Sequence, residues 1–157
     1  MINIKQGDCL DLMKEIPDKG VDMILCDLPY GTTACKWDSR LPLDVLWGGY
    51  LRIIKPNGAI VLFCKQPFTT ELIHSNLNLF KYTLVWQKDN HDNPLMAKKR
   101  FLNITEDIAI FYQKQCTYNP QMRKGKPQLK NTGGHQATIT SLHISHIFQK
   151  YIIRLHY

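Results

Sequence analysis

The sequence has five cysteines, and none of them forms the C-x-x-C pair that is typical of zinc sites and redox motifs. Their number is odd, and several lie beside or within apolar runs, where a reduced thiol behaves as a small hydrophobic side chain. We therefore expect no disulfide framework. A reducing compartment, the cytoplasm, is expected for the same reason.

Long hydrophobic segments are also absent. No apolar run approaches the roughly 18 residues that a membrane-spanning helix needs. The first residues do not show a charged segment followed by an apolar one, which is the pattern of a secretory leader. The sequence thus predicts neither a membrane protein nor a secreted one.

Acidic residues are few compared with basic ones: 13 Asp and Glu against 20 Lys and Arg, a formal net charge of +7 over 157 residues. This excess suits a polyanionic partner, because neutralising phosphates gives affinity without sequence preference. Charge alone does not separate a nucleic-acid-binding protein from an ordinary basic one. The apolar share of 44% indicates a globular chain, and the length is that of one domain with its own core.

Strand and helix patterns alternate along the chain. Strands are predicted over 2–5, 21–26, 59–64, 82–86 and 108–112, with helices from 8 to the stop at Pro17, over 42–54, and from Pro67 onward. The segment 55–58 carries a turn signal. This alternation is typical of an α/β fold with a mostly parallel sheet and helices on both faces. Ligands bind such sheets at the carboxyl ends of strands, where we expect Asp8 and Asp27.

The segment Asp27-Leu28-Pro29-Tyr30 directly follows the buried strand predicted over 21–26. An acid, a proline and an aromatic in this order can hold an unpaired base by its exocyclic amine. The carboxylate accepts one amine hydrogen, a backbone carbonyl beside the proline accepts the other, and the ring stacks on the base. Asp followed by Pro also makes an ordinary strand-to-loop turn. Two carboxylates at neighbouring strand ends favour a site over a plain turn.

Several segments, in order, resemble permuted amino-methyltransferases that act on DNA, whose catalytic motif precedes the cofactor motif. The matching segments are Gly7-Asp8-Cys9-Leu10, the strand and loop over 21–30, and the stretches 51–63, 82–88 and 106–112. The resemblance implies an incomplete Rossmann-like fold over 1–130, S-adenosylmethionine as methyl donor, and double-stranded DNA as partner. It implies catalytic roles for Asp27, Leu28, Pro29 and Tyr30, and cofactor contacts from Asp8 and Asp27.

The resemblance is to the adenine-N6 members of this family, because position 27 is an acid. Cytosine-N4 enzymes more often carry serine at that position, and they remain an alternative. RNA and protein-glutamine methyltransferases are further enzymatic alternatives, although asparagine commonly replaces the acid in the glutamine enzymes.

Two basic loops, over 87–105 and 119–130, are candidates for tracking the phosphate backbone. The predicted contacts in the first loop are Lys88, Lys98, Lys99 and Arg100, and those in the second are Arg123 and Lys124. The alternative for each charge run is a solvated loop without a ligand.

The tail over 131–157 departs from the family pattern and forms a segment of unknown structure. The family's Gly-rich turn, which receives the methionine part of the cofactor, has no counterpart here. Gly133-Gly134 lack a preceding apolar strand and predict a flexible connector. His143 and His146 have no third ligand nearby in sequence, so no metal site is predicted. We therefore expect weak or absent activity of the chain alone, with a nucleic-acid-binding remnant as the non-enzymatic alternative. An oligomer or a complementing chain would supply the missing half.

Overall fold

The computed structural model describes residues 4–33, 35 and 38–120. Residues 4 to 116 belong to one compact unit. In chain order the elements are α1 (Cys9–Lys14), β1 (Val21–Asp27), α2 (Leu43–Ile53), β2 (Ile54–Cys64), α3 (Phe68–Ser75), β3 (Phe80–Gln87), a short 3-10 turn (Pro94–Met96) and β4 (Thr105–Phe111). The alternation of strands and helices confirms the predicted α/β class.

The four strands form one mixed sheet in the order β1-β2-β4-β3. β1 and β2 are parallel, whereas β4 runs antiparallel to both β2 and β3. Strands β1, β2 and β3 therefore point in the same direction and end at the same edge of the sheet, where β4 begins. We call this edge the carboxyl edge.

The core lies on one face of the sheet. Alternate residues of neighbouring strands, such as Ile24, Ile60 and Phe111, lie side by side and are buried. Helices α2 and α3 pack on this same face and are joined by a hydrogen bond of 2.8 Å from Trp47 Nε1 to Ser75 Oγ. Helices were expected on both faces. Within the described residues, α2 and α3 share one.

Helix α2 forms because its apolar residues recur at helical spacing and face the sheet. Leu46, Trp47, Tyr50 and Ile53 are all buried there. Burying a large apolar side chain stabilises the fold by about 1.5–3 kcal/mol. The guanidinium of Arg52 donates to the carbonyls of Met13 and Ile16, at 2.6 and 2.8 Å, and so satisfies the end of α1.

The turn predicted over 55–58 is a bulge inside β2. Val21 pairs with Ile54, but Met23 pairs with Ala59, so four residues of β2 project from the ladder. A Cβ at Gly58 would lie 2.7 Å from Ile54 Cδ1 and 2.8 Å from the carbonyl oxygen of Asp22. Glycine is therefore needed where the bulge returns to the sheet, and β2 begins earlier than the predicted strand over 59–64.

One further expectation is wrong in its described part, and others lie outside the described residues. Residues 4 to 6 are not in a strand, so the strand predicted over 2–5 is not found in its described part. The tail over 131–157 and most of the second basic loop, including Arg123 and Lys124, lie outside the described residues. Among the helices of the described part, none is long and apolar enough to cross a membrane.

Candidate active site

Asp27 is the last residue of β1 and lies beside Phe63 of β2 at the carboxyl edge. On the other side of β2, Cys64 pairs with Asp107 near the start of β4. The Asp27 side chain is exposed, whereas Leu28 and Pro29 are buried behind it. At the end of β1 the Asp27 carboxylate is therefore accessible, while the buried residues Leu28 and Pro29 fix the backbone that carries it.

Tyr30 is bound to Asp27 directly. Its hydroxyl donates a hydrogen bond of 2.8 Å to Asp27 Oδ1. Its ring stacks on Phe68 at the start of α3, with centroids 5.5 Å apart and an interplanar angle of 27°. Burial, and then the hydrogen bond to the Asp27 carboxylate, raise the pKa of the Tyr30 phenol, so the side chain stays neutral. Phe68, which the sequence did not single out, therefore holds the Tyr30 ring beside the carboxylate.

The loop after Tyr30 is held by the carboxylate of Asp38. Asp38 accepts the N–H groups of Gly31 and Thr32 at 2.8 Å and that of Thr33 at 2.7 Å, and also the Thr33 hydroxyl at 2.8 Å. Desolvation would raise the pKa of this carboxyl, but the hydrogen bonds from Gly31, Thr33 and Thr32 lower it to about 2. Asp38 is thus ionised at neutral pH and acts as a fixed centre for three successive backbone donors.

Arg40 holds the same loop from outside. Its Nε donates to the Tyr30 carbonyl at 2.9 Å, and its Nη1 pairs with Glu71 of α3 at 2.6 Å. Gly31 has φ +65°, and a Cβ there would lie 2.6 Å from Arg40 Cγ. Glycine is required here for both its left-handed backbone and the close approach of Arg40.

Sequence reasoning missed both Asp38 and Arg40 as site residues. The only local signal is an acid a few residues after Gly31-Thr32-Thr33, which is the ordinary signature of a turn.

Lys88 and three neighbouring charged side chains form an ion cluster at the carboxyl edge. Lys88 Nζ lies 3.2 Å from Asp92 Oδ1 and 3.3 Å from Glu106 Oε2, and Lys65 also pairs with Asp92. Burial, and then the charge of Lys88, lower the pKa of Lys65. Lys88 was predicted as a nucleic-acid contact. The structure gives its ammonium two carboxylate partners and leaves its side chain only 23% exposed.

The remaining described basic candidates, Lys98, Lys99 and Arg100, are exposed. Within residues 4–33, 35 and 38–120, none of the three has an ion pair, and no group of three metal-ligating side chains occurs.

Asp8 lies at the start of α1. It is the N-cap of α1, and its Oδ1 accepts the N–H of Leu10 at 2.7 Å, which is an ordinary capping bond. A depression of about 390 Å³ between α1 and α2 contains Asp8, Asp11, Lys14 and Arg52 in its wall. Asp27 does not line it. The described residues that precede Asp8, 4 to 6, are not in a strand, so Asp8 is not at the end of a strand as expected.

No protein-family profile matches the sequence. Among curated proteins, the chain is similar to the type II methyltransferase M.BamHI of Bacillus amyloliquefaciens, with 28% identity over 52% of this chain and 22% of the relative. It is also similar to the type II methyltransferase M1.MboII of Moraxella bovis, with 27% identity over 74% of this chain and 48% of that protein. The chain thus spans less than half the length of these relatives.

Solved structures of DNA methyltransferases superpose on this chain. The complex of M1.HpyAVI with SAM superposes with a TM-score of 0.55 at 21% identity, over 83% of this chain and 62% of that one. The cytosine-N4-specific PvuII DNA methyltransferase superposes with a TM-score of 0.54 at 12% identity, over 70% of this chain and 48% of that one. The chain therefore has the α/β, Rossmann-like fold of S-adenosylmethionine-dependent methyltransferases.

Proposed function

We propose that the chain carries the target-base site of an S-adenosylmethionine-dependent DNA methyltransferase that modifies an exocyclic amine. One observation carries this proposal: the Asp27 carboxylate stands exposed at the carboxyl edge with Tyr30 bonded to it, on a loop fixed by Asp38 and Arg40. The curated relatives, which are type II methyltransferases, support the same class.

The chemistry of the site follows from its donors and acceptors. An amine hydrogen of an extrahelical base would be accepted by the Asp27 carboxylate, which also stabilises the positive charge that develops on the nitrogen. Tyr30 uses one carboxylate oxygen, so the amine would bind the other oxygen or displace the Tyr30 hydroxyl. The Leu28 and Pro29 backbone would orient the amine. The amine is itself the nucleophile, so no covalent enzyme–base intermediate is needed.

The residues that would hold the cofactor fit S-adenosylmethionine only in part. The depression beside Asp8 carries charges of both signs, and this donor set suits the amino-acid part of S-adenosylmethionine, which is zwitterionic. Its volume is within the usual range for a small-molecule site, about 300–1,000 Å³. Asp27 is not part of it, so the described residues do not join the cofactor candidate to the reacting end.

The identity of the target base is a finer proposal. We infer adenine-N6 because position 27 is an acid, as the resemblance to the adenine enzymes implies. Cytosine-N4 is the alternative, because a cytosine-N4-specific DNA methyltransferase has a similar fold.

A non-catalytic role is the second candidate, and it is favoured because Asp27 does not line the depression that contains Asp8. In that case the chain would bind DNA through Lys98, Lys99 and Arg100 without transferring a methyl group by itself. A second copy or another chain would then complete the cofactor site.

Calorimetric titration of S-adenosylmethionine into the purified chain separates the two candidates. The enzymatic proposal predicts micromolar binding to a protein that melts cooperatively by circular dichroism. Asp27→Ala should weaken the binding of S-adenosylmethionine, because Asp27 is the proposed contact with the methyl-bearing end of the cofactor. Asp22→Ala is the matched control. Asp22 is an exposed acid on the same strand, paired with Lys55 at 2.7 Å. A chain that binds DNA and melts cooperatively but does not bind the cofactor would fit the non-catalytic candidate instead.

A further inference from the structure

The loop over 88–104 joins β3 to β4 and projects from the carboxyl edge that carries Asp27. Its base is closed by two backbone hydrogen bonds, from the Lys88 N–H to the Ile104 carbonyl at 2.7 Å and from the Asp92 N–H to the Asn103 carbonyl at 2.9 Å. The Asp92 carboxylate also pairs with Lys65 and Lys88. The loop is therefore anchored to the sheet at its base and has a defined direction. We call it the β3–β4 loop.

The outer part of the β3–β4 loop carries three cations followed by a solvent-exposed aromatic ring. The N–H groups of Lys99 and Arg100 donate to the Met96 carbonyl at 2.8 and 3.0 Å, so the cationic run continues from the 3-10 turn as one compact piece. Phe101 follows directly and is fully exposed, at 102%. A single exposed ring is common on protein surfaces, but this ring directly follows three cations on a loop at the carboxyl edge, and that combination points to a binding role.

The base of the loop lies close to the candidate site. Phe63 of β2 pairs with Asp27, and Lys65, two residues further along, pairs with Asp92 at the base of the loop. A duplex bound at the carboxyl edge would therefore meet both the candidate site and this loop. The positive charges at 98–100 favour a polyanion over an apolar protein surface.

We propose that Phe101 is a wedge that enters the DNA duplex beside the extruded base, while Lys98, Lys99 and Arg100 bind the flanking phosphates. Extruding a base costs stacking and pairing energy, and an apolar side chain inserted at the open step offsets part of that cost. The cations fix the position of the duplex without reading its sequence. This inference rests on the proposed function, because it assumes that Tyr30 receives a base from duplex DNA.

The test compares binding of the full chain to three fluorescent duplexes of one sequence: fully paired, with a single mismatch, and with a single abasic site. Fluorescence anisotropy at fixed salt gives each affinity. The wild type should prefer the two distorted duplexes, and Phe101→Ala should lose at least about fivefold of that preference, as expected for the loss of one stacking contact. Binding to the paired duplex should change less than about twofold, because the phosphate contacts remain.

Two further variants separate the role of Phe101 from that of an ordinary exposed side chain and from that of the cations. Leu77→Ala removes an exposed apolar side chain, 59% accessible, that lies just before β3 at the opposite edge of the sheet, and it should leave all three affinities unchanged. The double variant Lys98→Ala/Lys99→Ala should weaken all three duplexes equally and lower the slope of log affinity against log salt by roughly 2.

Each outcome decides between the wedge and its alternatives. Phe101→Ala with an unchanged preference, or with equal weakening on all three duplexes, would overturn the wedge while leaving the proposed function intact. The ring would then be an ordinary exposed side chain or a contact with a protein partner. A cooperatively folded wild type that binds none of the duplexes would instead count against the proposed function itself. Phe101→Trp, which keeps a flat ring, should retain the preference and show quenched indole fluorescence on binding.

Discussion

Asp38 accepts four hydrogen bonds from the loop that follows Tyr30, so Asp38→Asn tests directly what holds this loop in place. The substitution keeps the size of the side chain but removes its charge. In the wild type, Oδ1 accepts from Gly31, while Oδ2 accepts from the N–H of Thr32 and from both the N–H and the hydroxyl of Thr33. An amide has only one acceptor oxygen, so its NH₂ group must face at least one backbone donor.

The cost can be worked from these bonds. Hydrogen bonds to a charged group contribute about 1.5–3 kcal/mol each and neutral ones about 0.5–1.5 kcal/mol, and a buried donor left unpaired costs about 1–3 kcal/mol. Asp38 is only 7% exposed, so water cannot readily replace the lost acceptor. We expect Asp38→Asn to lower the free energy of unfolding by roughly 2–4 kcal/mol. Urea denaturation at pH 7 measures this as a lower midpoint with an unchanged m-value.

The same variant predicts a change in acid sensitivity. The pKa of the Asp38 carboxyl is about 2 in the folded chain and 3.8 in its ordinary state. A depressed pKa stabilises the fold above the ordinary value, and this contribution is lost as the pH falls from about 4 through about 2. Asp38→Asn should lack this part of the acid transition. Asp22→Asn, on an exposed ion pair, should change stability by less than about 1 kcal/mol and serves as the control. Equal stability and equal acid profiles for Asp38→Asn and wild type would refute this account of the loop.

Three further changes test other parts of the structure. Gly31→Ala should lower the melting temperature and displace Arg40, because φ is +65° and the new Cβ would lie 2.6 Å from Arg40 Cγ; a melt by circular dichroism checks this, and an unchanged midpoint would contradict it. Leu46→Ala should cost about 2–5 kcal/mol in urea denaturation, since Leu46 is fully buried in the core, and a loss below about 1 kcal/mol would argue against the packing described. Tyr30→Phe should keep binding to a mismatched duplex because the ring remains, whereas Tyr30→Ala should lose about 1–3 kcal/mol of it; equal affinities in anisotropy titrations would argue against stacking by Tyr30.

The parts of the fold that the sequence predicted are those that local patterns determine. A continuous apolar run is enough to predict β1, and apolar residues at helical spacing are enough to predict α2. The position of Asp27 followed from the end of that run. The bulge in β2 was not predictable in the same way, because Gly58 is required by contacts with Ile54 and with Asp22 of the neighbouring strand. The turn signal at 55–58 was correct about a break in the ladder, but the strand continues on both sides of it.

The supporting residues of the site could not be predicted, because their partners are distant in sequence or not visible in any pattern. Arg40 pairs with Glu71, 31 positions away, and Phe68 meets Tyr30 across the gap between α3 and β1. Lys88 looked like a surface cation, yet the fold places it between Asp92 and Glu106.

The most direct test of the central claim is nucleoside analysis of duplex DNA after incubation with the chain and S-adenosylmethionine, by mass spectrometry. Because activity of the chain alone is expected to be weak, the account predicts a low yield of N6-methyladenine with the wild type and with Asp22→Ala, and its loss with Asp27→Ala. N4-methylcytosine in place of N6-methyladenine would keep the site but contradict the proposed base. Methylation that survives in Asp27→Ala, or a folded wild type that binds both cofactor and DNA without modifying either base, would contradict the account of Asp27 as the residue that receives the target amine.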